Sequence, residues 1–239
     1  MKSLYIIKAG STFAIEAQRL GDFEDWVRRG LGDVPCHVAV VNAEGGEVLP
    51  APELCAGAIV TGSHAMVTDN LPWSAAIGRW IMELIAARLP FLGICYGHQL
   101  LGRAAGGEVG YHPRGREVGT VSIELTPEGE HDPLFDAIPA RFAAHATHAQ
   151  SVLRLPDGAV HLACNGFEPH HAFRVGESAW GVQFHPEYTR EIMETYLRDE
   201  IADLEAADKE AGALRDAISE APHAGRVLSN FASFVSRRL

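Results

Sequence analysis

The sequence predicts an α/β fold: an open, mostly parallel sheet with helices wound on both faces. Three observations carry this expectation. Short apolar runs alternate with helical stretches through about residue 105, the pattern of a doubly wound sheet with right-handed crossovers. Phe91 to Ile94 is wholly apolar, which suits a parallel strand buried on both faces. After Gly106 the pattern changes to short strand-like segments between Pro- and Gly-containing turns, and these predict a small antiparallel extension.

Ser3 to Lys8 (SLYIIK) reads as the first buried strand. Thr12 to Gly30 reads as helical in its second half, where Phe23, Trp26 and Val27 recur at helical spacing and Gly30 suits a stop. His37 to Asn42 and Ala58 to Thr61 are β-branched runs, the second leading into a Gly-Ser turn. Trp73 to Leu89 is an amphipathic helix with Ile77, Trp80, Ile81, Leu84 and Ile85 on one face, ended by Pro90. Val118 to Leu125, His161 to Cys164, Ala172 to Val175 and Ala179 to Phe184 read as strands. From Thr189 a helical tail begins, with Ile192, Tyr196, Ile201 and Leu204 on one face and Glu194 and Arg198 as an i,i+4 pair. The charged stretch to about Glu220 reads as solvent-facing helix, and Val227 to Val235 as a docked terminal helix. With no repeat or linker in view, one domain is expected: a core over about residues 3–190 and a helical tail over about 190–239.

Composition narrows the function classes. Twenty Lys and Arg stand against 31 Asp and Glu, a net charge of −11, so sequence-independent nucleic-acid binding is not expected. No run approaches the roughly 18–20 apolar residues of a membrane span, and the N-terminus lacks the features of a signal peptide. A cytoplasmic protein is expected. Cys36, Cys55, Cys95 and Cys164 form no C-x-x-C pair, and the histidines show no metal-ligand spacing. Neither a metal nor a cofactor is expected, and no Gly-rich phosphate loop is present.

One of the four thiols stands apart. Cys95 lies in Gly93-Ile-Cys-Tyr-Gly97, directly after an apolar strand and directly before a helical run. A Gly-x-nucleophile-x-Gly pattern suits a sharp strand-to-helix turn that pushes one side chain out at the carboxyl end of a sheet. A thiol at a helix N-terminus is favoured as thiolate, and the free N–H groups there can stabilise an oxyanion. A thiol nucleophile needs a base, and the base needs an orienting group. Trp180-Gly-Val-Gln-Phe-His-Pro-Glu187 offers both. His185 and Glu187 have the same strand parity, so in a locally extended chain they point to one site.

Taken together, GICYGHQLLG (93–102), GVQFHPE (181–187) and Ile59-Val-Thr-Gly-Ser63 resemble the class I glutamine amidotransferases, such as the glutaminase domains of GMP synthase, anthranilate synthase and carbamoyl phosphate synthetase. The resemblance covers roughly residues 3–190 and implies a flavodoxin-like sheet. It implies a triad of Cys95, His185 and Glu187 that hydrolyses a glutamine amide through a γ-glutamyl thioester. It places an oxyanion hole on the backbone N–H groups of Gly62 and Tyr96. Gln99 matches a residue that helps hold the glutamate portion of the substrate, and Ser63 and His148 are weaker substrate-binding candidates. The sequence departs from the family at Thr61-Gly62-Ser63-His64, where many members carry a Gly-Pro-Gly-like run.

No segment after Glu187 resembles an ATP-binding domain, so the ammonia-accepting synthetase implied by the family is expected as a separate partner. The chain resembles GMP-synthase-like amidotransferases, a group that plant γ-glutamyl peptidases also resemble. Three functions stay open: a glutaminase, a γ-glutamyl hydrolase or peptidase using the same triad on a γ-glutamyl conjugate, and a catalytically silent regulatory module.

Overall fold

The computed structural model describes residues 2–204 and 216–239. Five strands run parallel at the centre: β1 (Ser3–Lys8), β2 (Val38–Asn42), β3 (Cys55–Val60), β4 (Phe91–Ile94) and β11 (Ala179–Val182). The sheet continues with the antiparallel strands β10 (Ala172–Val175), β9 (Val160–Cys164), β6 (Glu117–Leu125) and β7 (Arg141–His148). Across the nine strands the order is β2-β1-β3-β4-β11-β10-β9-β6-β7. A separate two-stranded antiparallel sheet joins β5 (Glu108–Tyr111) to β8 (Gln150–Arg154).

Side-chain alternation along the central strands builds two apolar layers. Leu4, Ile6, Leu92 and Ile94 face one core, which α2 (Phe23–Leu31) and α7 (Arg226–Ser236) cover through Val27, Leu31, Leu228 and Val235. Ile7 and Phe91 face the other, covered by Ile77, Ile81 and Leu84 of α3 (Pro72–Ala86) and Leu100 and Leu101 of α4 (Tyr96–Ala104). The crossover from β1 to β2 therefore lies on one face and that from β3 to β4 on the other. Strand order reverses between β1 and β3, and the crevice beyond the carboxyl ends at such a reversal is where open α/β sheets bind ligands.

The expected strands 3–8, 91–94 and 172–175 are found with those bounds. Other elements differ. A short helix, α1 (Ala14–Leu20), occupies the half of 12–30 read as non-helical. Gly30 does not stop α2. It lies inside that helix at the crossing with α7, where a β-carbon would stand 2.3 Å from Leu228 Cδ1. In α6 (Arg190–Leu204), Glu194 is held at 2.7 Å by Arg190, on the turn before it, and not by the expected Arg198 on the turn after. Most of the charged stretch lies outside the described residues, and 218–220 are not helical. Ile218 returns to a third apolar cluster with Trp26, Tyr188 and Tyr196.

The bend after β4 depends on two glycines. A β-carbon on Gly93 would lie 2.3 Å from the Gly97 carbonyl oxygen, and one on Gly97 would lie 2.5 Å from that of Val60. Both obstacles are backbone and cannot swing aside. Gly93→Ala should lower stability by about 3 kcal/mol, the upper end for overpacking. Gly166→Ala, with open space at its β-carbon, should stay within about 0.5 kcal/mol of the wild type. Urea unfolding of the two variants checks the contrast, and similar stabilities would contradict it.

Candidate active site

Three parallel strand ends, those of β3, β4 and β11, converge on Cys95. The residue sits between β4 and α4 with φ 48° and ψ −95°, a region that residues with a β-carbon seldom occupy. Such backbone costs about 1–3 kcal/mol and persists only where its surroundings enforce it. Here the Cys95 N–H donates to Val182 O at 2.8 Å and Cys95 O accepts from the Gln99 N–H at 3.0 Å. The strand on one side and the helix on the other thus clamp the bend. Cys95 is 7% exposed, and its Sγ lies 3.9 Å from Thr147 O.

His185 approaches from the end of β11. Its N–H donates to His145 O at 2.8 Å, which ties this segment to β7. The ring Nδ1 lies 2.7 Å from Glu187 Oε1, and both side chains are buried. That contact is not made along an extended strand as parity suggested. β11 ends at Val182, and Pro186 and Glu187 form a turn that folds the carboxylate back onto the imidazole. Tyr188 stacks on the His185 ring with centroids 4.0 Å apart. Burial alone would lower the His185 pKa. The charges of Glu187 and Cys95, with the hydrogen bond to Glu187, outweigh it and raise the pKa to about 10. His145 lies on the far side, where burial and the neighbouring His185 charge press its pKa down to about 4.

The other predicted residues gather around this pair. A β-carbon on Gly62 would lie 3.1 Å from His185 Cε1 and 3.9 Å from Cys95 Cβ, so a side chain there would crowd both. The Gly62 N–H enters no backbone hydrogen bond among the described residues. Tyr96 is the first residue of α4, and its N–H has no acceptor within the helix. Gln99 is buried, and its Nε2 donates to Gln150 O at 2.8 Å and to Gln183 Oε1 at 3.0 Å. Ser63 lines the cavity, while its Oγ accepts from the Ala65 N–H at 3.1 Å and shapes the turn.

His148 also lines the cavity, but both its ring nitrogens are engaged, Nδ1 with Gln150 O and Nε2 with Glu117 Oε2, each at 3.0 Å. Burial would raise the Glu117 pKa; hydrogen bonds from His148, His171 and Asn165 hold it well below the usual carboxylate range. The His148 ring is thus committed to holding the 147–150 main chain rather than to a ligand.

The cavity spans about 930 Å³, its open mouth included. Phe13, His64, Arg116, Tyr188 and Tyr196 line it without having been singled out as site residues in the sequence. Tyr188, next to the HPE run, had a local signal. Phe13 and Tyr196 had none, because helix packing alone brings them there. Among the described residues no group of three or more His, Cys, Asp or Glu side chains could hold a metal ion. Nor is any described helix long and apolar enough to cross a membrane.

A buried thiol on a strained strand-to-helix bend thus lies beside a carboxylate-bound imidazole at the carboxyl edge of this sheet. The sequence model of the glutamine amidotransferase class-I family matches residues 20–204, and the chain belongs to that family, whose members are hydrolytic enzymes. It is 30% identical to a GMP synthase [glutamine-hydrolyzing] of Aeropyrum pernix over 91% of this chain and 44% of the relative. It is 29% identical to gamma-glutamyl peptidase 3 of Arabidopsis thaliana over 64% of each. A gamma-glutamyl-L-1-hydroxyisopropylamide hydrolase of a Pseudomonas species is 30% identical over 73% of this chain and 60% of the relative. The chain thus spans less than two thirds of the length of these relatives. A glutamine amidotransferase crystal structure from Thermotoga maritima shares the fold, with a TM-score of 0.76 at 20% identity over 99% of both chains.

The raised His185 pKa makes stability depend on pH with a definite sign. A folded-state pKa above the ordinary value of 6.5 contributes stability in full below pH 6.5 and loses it as pH rises to about 10. The melting-temperature gap between wild type and His185→Gln should therefore shrink steadily across that window. Melting curves at closely spaced pH values check this, and a constant gap would exclude a charged His185 in the folded chain.

Proposed function

We propose that this chain hydrolyses γ-glutamyl amides through a thioester on Cys95, with glutamine as the parent substrate. The observation that carries the reading is His185, bound to Glu187 and lying beside the Cys95 side chain at the carboxyl ends of β4 and β11. Cys95 attacks the side-chain carbonyl. His185 supplies the proton that the departing nitrogen needs, then takes one from the water that clears the thioester. Glu187 fixes the ring orientation and balances its charge. The N–H groups of Gly62 and Tyr96 receive the oxyanion. Gln99 and the main chain of 147–150 hold the glutamate portion, with Ser63 at the edge and His148 acting through its hold on that main chain.

With glutamine the products are glutamate and ammonia. The GMP synthase relatives support delivery of that ammonia to a synthetase. A second reading, hydrolysis of a substituted γ-glutamyl amide, is favoured by the aromatic lining beside His185. A free nucleophilic thiol suits a reducing, cytoplasmic setting in either case.

Diazo-oxo-norleucine should alkylate Cys95 alone among the four cysteines, as read by peptide mass mapping. An unlabelled Cys95, with no amide turned over, would point instead to a silent binding module. Cys95→Ala should lose at least about 10³-fold in turnover yet still melt cooperatively. Glu187→Gln should lose at least about tenfold less than His185→Ala, because packing on Tyr188 preserves part of the ring's orientation. Steady-state ammonia release measures both, and equal losses would count against this division of roles.

A further inference from the structure

The aromatic rings near His185 are arranged with a direction. Whatever leaves the γ-carbonyl must sit within reach of His185, since that ring supplies its proton. On the Cys95 side of the cavity the surroundings are polar: Thr147 O, Gln99 and Gln150. On the His185 side they are rings. Tyr188 stacks on the imidazole at 4.0 Å. Tyr196 follows at 5.1 Å from Tyr188, Phe13 at 5.4 Å from Tyr196, and His64 at 4.6 Å from Phe13. Phe23 closes the series edge-on to His64 at 6.0 Å.

Of the two hydroxyls in this wall, that of Tyr188 is buried without a hydrogen-bond partner among the described residues, and that of Tyr196 is engaged. The Tyr196 hydroxyl is bonded to Thr12 Oγ1 at 2.8 Å and lies 3.2 Å from His64 Nε2. The wall therefore presents mainly ring faces, with Arg116 also lining the cavity. It ends at an open rim, where Phe13 is 37% exposed and His64 is also exposed. Released ammonia is small and polar and gains nothing from such a wall, whereas an aromatic group buries a large area there and stacks in offset or edge-on geometry.

We propose that Phe13, Phe23, His64, Tyr188 and Tyr196 form a leaving-group subsite for an apolar, aromatic substituent on the scissile nitrogen, so that N-arylalkyl γ-glutamyl amides are preferred to glutamine. This rests on the reading of Cys95 as the nucleophile. The Sγ–carbonyl bond forms as the C–N bond breaks, and the amine departs as R–NH2 with the proton carried by His185. Water then cleaves the thioester, returning a proton to His185 and releasing glutamate. The acyl half is the same for every substrate, so selectivity arises in the first step, where the amine still occupies the ring-lined subsite.

The test compares kcat/KM for glutamine, γ-glutamyl-2-methoxyethylamide and γ-glutamyl-benzylamide. The two substituted amides release amines of similar basicity, so the comparison reads the subsite and not the intrinsic ease of departure. The benzylamide should exceed both others by at least about tenfold, the scale on which apolar pockets discriminate added carbon. Phe13→Ala and His64→Ala, both at the exposed rim, should each reduce the benzylamide-to-methoxyethylamide ratio by about tenfold, with melting curves confirming that they fold. A wild-type ratio near one, or ratios unmoved by both substitutions, overturns the subsite while leaving glutamine hydrolysis at Cys95 standing. Failure of all three amides to acylate Cys95, read by intact mass after rapid quench, overturns the subsite together with the reaction it depends on.

Discussion

The close approach of two main-chain segments, Gly93 to Gly97 and Gly97 to Val60, permits everything else at this site. Where atoms are this near, only hydrogen fits at the α-carbon, and the chain can reverse from β4 into α4 within a single residue. That residue is Cys95, and it carries the backbone strain. Val182 O on one side and the Gln99 N–H on the other lock its main chain. The free energy that the bend costs is supplied by the buried sheet and helix it joins, which explains why the strain is found where two apolar layers meet and not in an exposed loop.

Electrostatics then follow from enclosure. Glu187 and His185 lie together out of water, and the thiol lies beside them, so each charge finds its counterpart within the protein and not in solvent. A second carboxylate, Glu117, is buried behind the cavity, in contact with His148, His171 and Asn165. The two clusters have different tasks. One surrounds the proposed nucleophile with titrating groups, and the other fixes the main chain of 147–150 against which a ligand would rest.

Much of this was legible in the residues, and the exceptions share a cause. Wholly apolar runs such as 91–94 announced the buried central strands, and the glycines around Cys95 announced the bend. β7, in contrast, reads RFAAHATH, with too many small and polar residues for strand periodicity to emerge; it is specified by its pairing with β6. Parity correctly brought His185 and Glu187 together for the wrong geometric reason, since a turn achieves what an extended strand was expected to do. Gly30 was read from local preference as a helix end, yet its role is set by Leu228, almost two hundred residues away. The rings of Phe13 and Tyr196 escaped notice because a side chain's cavity neighbours are a property of helix docking and leave no mark on nearby sequence.

The position of β11 has a consequence for how the molecule comes into being. This strand fills the middle of the sheet, pairing Ala179 with Phe91 on one side and Val175 on the other. A ribosome therefore releases the cysteine bend long before the strand that secures it. Closing so distant a pairing is slow compared with forming local helices and hairpins. During that interval the thiol lacks both its imidazole and the carbonyl that holds its amide. The bend and the imidazole beside it are thus brought together only when the centre of the sheet is complete.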